Sequence, residues 1–383
     1  MSANENFDDD LFSDFVIEPE GRNEKNTFQP WHNPRKQLVR KEQWAHFIKE
    51  HYKPILSDRK IIKYFSLPGD DLLDIRFIHN EVCSPLGLKL KFVGFNDHSA
   101  DPVREQNANL SLAEVRAMPL ISEDSVYYEN DILHTGQYNS LAYSRIKEGG
   151  DYDVINLDFC DSITSKDPES GFENHYQLLK QIISIQRSRD EPWLLFITTR
   201  IGMIHIHDKT LRLLNECYNE NLKDTDFRNE SKEVFNIENI ENLTTELDKG
   251  ELFNKIICTS LSKWLLSFSL TFTPQISIKV LDAMEYTVLP SASHPDMISI
   301  AFLFKPHPQN LQDNKGLAPS TKKYTNLKEA EIATRYIGRF NKTTDCDLYL
   351  SSDEKKREEV ILESQKLLAA ARFNVSNYRE HFN

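Results

Sequence analysis

The feature that most restricts this chain is an alternation. Between residues 63 and 201, short apolar runs take turns with segments of helical periodicity. KYFSLPG (63–69), LKLKFVGFND (88–97), SVYYENDIL (125–133), YDVINLDFCDSI (152–163) and WLLFITTRI (193–201) read as strands. Their expected cores are 64–67, 90–95, 126–128, 154–157 and 194–198. DDLLDIRFIHNEVC (70–83), LSLAEVRAM (110–118), NSLAYSRIK (139–147) and FENHYQLLKQIISIQRSR (172–189) read as the helices between them. Ser111 with Glu114 three positions on gives LSLAEVRAM the form of a capping box. Such a series folds as a parallel sheet with right-handed crossovers. WLLFITTRI is almost continuously apolar, as a strand covered on both faces must be.

The series ends differently. After helical patterns at 208–222 and 253–270, with a polar inserted element at 232–250, come ISIKVLDAMEYTVLP (276–290) and MISIAFLFKP (297–306). Too few residues separate the last two for a parallel crossover, so they form an antiparallel hairpin at one sheet edge. The expected architecture is a doubly wound, mostly parallel α/β sheet over residues 60–308, with helical appendages at both chain ends. Residues 1–28 read as a flexible acidic leader, whose DDDLFSDFVIEPE suits docking on a partner. Residues 29–59 read as a helical basic arm carrying Trp31 and Trp44. Residues 309–383 read as a loop followed by helices at 327–340 and 351–382. Both terminal helical parts are expected outside the sheet.

The net charge of −13 argues against a protein that coats nucleic acid generally. Arg35, Lys36, Arg40 and Lys41 form the densest basic cluster, and these four are the candidate nucleic-acid contacts because together they can neutralise several phosphates. The five cysteines are scattered, which reads as free thiols in a reducing compartment and not as a zinc site. The polar, acidic first residues do not read as a signal peptide, and no apolar run reaches membrane-spanning length. The expected location is the cytoplasm, with no membrane partner. No P-loop, GxSxG elbow or HExxH is present, so kinase, serine-hydrolase and zincin readings have no support. His205, His207 and Asp208 have metal-like spacing but lack a further ligand, and no metal is expected.

Five strand–helix units closed by an antiparallel pair, with acidic residues at strand ends, resemble the class I S-adenosylmethionine-dependent methyltransferases. The resemblance spans roughly residues 60–306. It implies S-adenosylmethionine as cofactor, bound beyond the carboxyl ends of the strands. Ser66-Leu67-Pro68-Gly69-Asp70-Asp71 stands where the family carries a glycine-rich turn, which implies Ser66 and Gly69 beside the cofactor. This turn has one glycine and a proline, a departure from the family pattern. Asp97, after the second strand, resembles the carboxylate that holds both ribose hydroxyls. Asn130 and Asp131 resemble the pair that meets the adenine ring. Asn156-Leu157-Asp158-Phe159 resembles the Asn/Asp-Pro-Pro-aromatic loop of amino-methylating enzymes, without its two prolines. The resemblance implies that Asn156 and Asp158 accept hydrogen bonds from the target amine and that Phe159 stacks on a flipped base.

Two functions stay open at this point. One is a methyltransferase acting on nucleic acid. The other is a catalytically inactive subunit or scaffold in a multi-subunit bacterial complex, such as one in antiviral defence. The single-glycine turn, the missing prolines and the acidic leader point to the second, and a fold alone decides neither.

Overall fold

Along β4 and β5 the side chains point alternately to two different cores, and this alternation sets the layers. Ile155 and Leu157 face one core with Leu195 and Ile197. Val154, Leu194 and Phe196 face the other. Period-two geometry makes both faces apolar only when every position is apolar, which is why these strands read as continuous runs. The computed structural model describes residues 24–56, 58–97, 101–250, 252–289, 292, 294–308 and 324–382. The expected leader over 1–28 falls almost wholly outside these residues, as does most of the expected loop after Pro308.

The strands are β1 (Ile61–Ser66), β2 (Lys89–Asn96), β3 (Val126–Glu129), β4 (Val154–Asp158), β5 (Trp193–Arg200), β6 (Ile276–Tyr286), β7 (Met297–Pro306) and β8 (Thr344–Asp345). They form one sheet in the order β3-β2-β1-β4-β5-β7-β6-β8. The first five are parallel to one another. β7 runs antiparallel between β5 and β6. This is the mostly parallel, Rossmann-like methyltransferase sheet, with the expected hairpin at one end. The two-residue β8 adds itself in parallel outside that hairpin. Trp193 and Phe304 stack across the junction of β5 and β7, with centroids 4.1 Å apart.

One face is covered by the helices Leu141–Gly149, His175–Gln186, Asp208–Asn221, Phe253–Ser269 and Glu329–Phe340. The other is covered by Pro34–Val39, His46–Tyr52, Leu73–Ile78, Pro102–Arg116 and Glu354–Ala370. The terminal helices lie outside the strand order, yet they pack on the sheet as parts of its layers, Glu329–Phe340 in the first and Pro34–Val39, His46–Tyr52 and Glu354–Ala370 in the second. Trp44 is fully buried, its indole N–H donates to Ser299 Oγ at 3.3 Å, and Gln43 bonds the Ser299 carbonyl at 3.0 Å. The two chain ends are also stitched to each other. Lys25 bridges Phe373 in parallel, and the Tyr378 hydroxyl donates to the His32 carbonyl at 2.7 Å.

One local expectation is corrected. Ser111 does not open its helix. The helix begins at Pro102, capped by Asp101, which accepts from the Val103 and Arg104 amides. Ser111 is buried mid-helix, and its hydroxyl accepts a hydrogen bond from Arg372 at 3.2 Å. The polar stretch before Ser111 lowers the apolar periodicity, so the first two turns read as loop. All five cysteines are free thiols. Among the described residues, no helix is long and apolar enough to cross a membrane.

Candidate functional site

The strand order reverses between β1 and β4, since β1 continues outward to β2 and β4 continues the other way to β5. Beyond the carboxyl ends of such a pair the two connections diverge and leave a crevice. A cavity of about 210 Å³ lies there, between the turn after β1, the end of β4 and the N-terminal segment.

The turn after β1 and the helix Leu73–Ile78 that follows supply three carboxylates, and each is held. Asp70 takes the Arg104 guanidinium at 2.8 and 3.1 Å and the Asn96 amide at 2.6 Å. Asp71 pairs with Lys25 and lies 3.8 Å from His32. Asp74 accepts from the Tyr64 hydroxyl at 3.0 Å and from the Ile75 amide at 2.8 Å. Burial raises its pKa, and these donors pull the other way. Gly69 turns the chain with φ +63°, and nothing lies within 4 Å of where a side chain would start. Gly94 of β2, level with Ser66, makes room for the turn. A Cβ there would come within 3.0 Å of the Pro68 ring.

The end of β4 is bound to the N-terminal segment. Lys36 reaches inward from its helix and places Nζ 2.5 Å from Asp158 Oδ1 and 4.6 Å from the centroid of the Trp44 ring. Lys36 is only 2% exposed, and burial lowers its pKa while Asp158 raises it. Arg40, 5% exposed, donates to the Trp31 carbonyl at 3.2 Å, and its Nε is buried with no partner among the described residues. Asn156 donates to the Tyr64 hydroxyl at 2.9 Å, which makes a buried chain Asn156–Tyr64–Asp74 beneath the cavity floor.

The structure brings together some of the expected residues. Gly69, Asp158, Phe159, Lys36 and Arg40 line the cavity. Ser66 and Asn156 are buried just below it. Phe159 packs its ring nearly perpendicular to that of His175, with centroids 4.7 Å apart. At the end of β2 the lining residue is Asn96, while Asp97 follows it, exposed. At the end of β3, Asn130 accepts from Arg145, and Asp131 caps the turn Ile132–Gly136 through the Leu133 amide at 2.8 Å. Neither of these two lines the cavity. Arg35 pairs with Asp347, and Lys41 pairs with Glu359 and Glu363. The four basic residues therefore divide, with two in the cleft and two on the outer side of the helix.

Sequence reasoning missed Asp70, Asp74, Arg104 and Tyr286 in the lining. Asp70 stood in the recognised turn and could have been found there, while Asp74 stood in the helix that follows it. Nothing local marks Arg104 or Tyr286. His205 and His207 take no part, and His207 caps the helix Asp208–Asn221 through the Lys209 amide at 3.2 Å.

A family model described as PP_RS20740-like matches residues 25–383. The chain belongs to this family. No curated protein matches its sequence. Among solved structures, it is similar to a protein described as a candidate class I S-adenosylmethionine-dependent methyltransferase from Listeria monocytogenes. The identity is 9%, with 79% of this chain and 70% of that one covered and a TM-score of 0.34. It is also similar to TrmN from Thermus thermophilus, at 12% identity over 43% of this chain and 42% of that one, with a TM-score of 0.22. A third is the methyltransferase subunit of a type I restriction-modification system from Streptococcus thermophilus, at 10% identity over 75% and 46%, with a TM-score of 0.33.

Proposed function

We propose that this protein binds S-adenosylmethionine in the cleft beyond β1 and β4 and transfers its methyl group to an amine, with nucleic acid as the acceptor class. The observation that carries this is Asp158, a carboxylate at the end of β4, inside the cavity and already holding an ammonium group. A group that binds an ammonium and can take its proton is suited to prepare a target amine.

The residues present fit the amino-acid end of the cofactor. Arg40 offers positive charge to a carboxylate, and its Nε is a buried donor with no partner among the described residues. Gly69 leaves its backbone open to a ligand. Ser66 and Gly69 would meet that end and Asp97 the ribose, and the adenine would extend past the cavity to reach Asn130 and Asp131, which lie outside its lining. When bound, the cofactor supplies an electrophilic methyl group. Arg35 and Lys41 keep side chains 35% and 24% exposed, which supports phosphate contact along the outer helix face.

Calorimetry with S-adenosylhomocysteine, followed by labelled methyl transfer to DNA and RNA, tests this reading. Absence of binding at high protein concentration ends it. A second reading is favoured by the Lys36–Asp158 pair, because an acceptor position filled from within suits a catalytically inactive subunit of a larger bacterial complex, such as one in antiviral defence. Cofactor binding with no transfer to any nucleic acid would support that alternative.

A further inference from the structure

We propose that Lys36 is itself a methyl acceptor, so that the protein methylates its own side chain inside the cleft. This deepens the reading above and rests on it.

Three observations carry it. The first is position. Lys36 Nζ lies in the cavity wall, 2.5 Å from Asp158, at the strand end where an acceptor amine would be prepared. The second is its surroundings. The Trp44 ring stands 4.6 Å from Nζ, and an aromatic face holds an ammonium and its methylated forms alike, because methylation keeps the charge. Among the described residues, Asp158 is the hydrogen-bond partner of Nζ, so replacing another N–H by a methyl group breaks no protein contact. The third is burial. Lys36 is shut from bulk water. Burial also lowers its pKa, which favours the neutral amine, the nucleophilic form.

The step balances. Lys36 gives a proton to Asp158 and directs the freed lone pair at the methyl carbon. The nitrogen–carbon bond forms as the carbon–sulfur bond breaks. Sulfur keeps the bonding pair, and S-adenosylhomocysteine leaves. The proton on Asp158 passes to water.

The test uses the full chain with S-adenosylmethionine carrying an isotopically labelled methyl group, read by peptide mass spectrometry. Calorimetry with S-adenosylmethionine and S-adenosylhomocysteine runs in parallel. Label is expected on Lys36 and lost in Lys36→Arg. Label should be lost in Lys36→Met as well, because the acceptor amine is gone. A methyl group already on Lys36 in the purified protein also supports the proposal. Binding of S-adenosylhomocysteine with Lys36 unlabelled overturns self-methylation and leaves the cofactor reading standing. No binding removes both. The wild-type result does not depend on how well either variant folds.

Discussion

Lys36 Nζ and Asp158 Oδ1 lie 2.5 Å apart although 122 positions separate the two residues in the chain. The contact ties the N-terminal helix to the end of β4 and sets the charge balance of the cleft. Lys36 is almost fully buried and Asp158 is partly so. Burying one charge without the other is costly.

Removing one partner should therefore cost more than removing both. Asp158→Ala is expected to lose about 3 kcal/mol of stability, the low end for a broken buried pair. Lys36→Met combined with Asp158→Leu should recover most of that loss. Urea denaturation of the three proteins checks this, and an unchanged midpoint for Asp158→Ala would show that the pair carries no structural weight.

Trp44 tests whether the N-terminal segment belongs to the folded core. It is fully buried and hydrogen-bonded to Ser299. Trp44→Ala should cost about 3–5 kcal/mol. A loss below about 1 kcal/mol would mean that residues 34–52 rest loosely on the sheet.

His175 should make stability depend on pH. Burial lowers its pKa to about 4, against an ordinary value of 6.5. The folded state thus resists protonation that the unfolded chain accepts. Its contribution is fully present above about pH 6.5 and is lost as pH falls toward about 4, at about 1.4 kcal/mol per pH unit within that window. His175→Leu should flatten this part of the profile. Equal slopes for wild type and variant would contradict the assignment.

For cofactor binding, Asp97 is the residue to change first, because one carboxylate can hold two vicinal hydroxyls. Charge-assisted hydrogen bonds contribute about 1.5–3 kcal/mol, so Asp97→Ala should weaken S-adenosylhomocysteine binding at least roughly tenfold. Calorimetry gives the value directly. Unchanged affinity would move the ribose contact to another residue.

Arg35 and Lys41 can be removed together without opening the cleft. If they meet phosphates, the double alanine variant should bind DNA more weakly and lower the salt dependence by about 1.8 in log–log slope, at about 0.9 for each lost contact. A slope identical to wild type would exclude both residues from the interface.

The strands were legible because parallel strands buried on both faces need apolar side chains at nearly every position, as in 193–201. The hairpin was legible from the short connection between β6 and β7. β8 was not, since two residues carry no periodicity. The layer built on Trp44 was hidden for two reasons. The helical turns widen over Arg40–Ala45, which disturbs the spacing of apolar residues. Four cations in seven positions also look like a solvated face, and only distant carboxylates such as Asp158 let two of them go inside. Local patterns placed Asp158 at its strand end. They could not reveal that a lysine from another layer had reached it.

The stitching of Lys25 to Phe373 and of His32 to Tyr378 sets the order in which the molecule can be finished. The partner of His32 lies 346 positions later in the chain. During synthesis, β1 to β5 can all emerge and pair while the segment carrying Lys36 still has no C-terminal residues to rest against. Closing so long a loop adds little entropic cost beyond that of a moderate one, so the delay comes from translation time. A nascent chain therefore carries its strand-end carboxylates and the N-terminal wall that encloses them before it carries the C-terminal residues to which that wall is stitched.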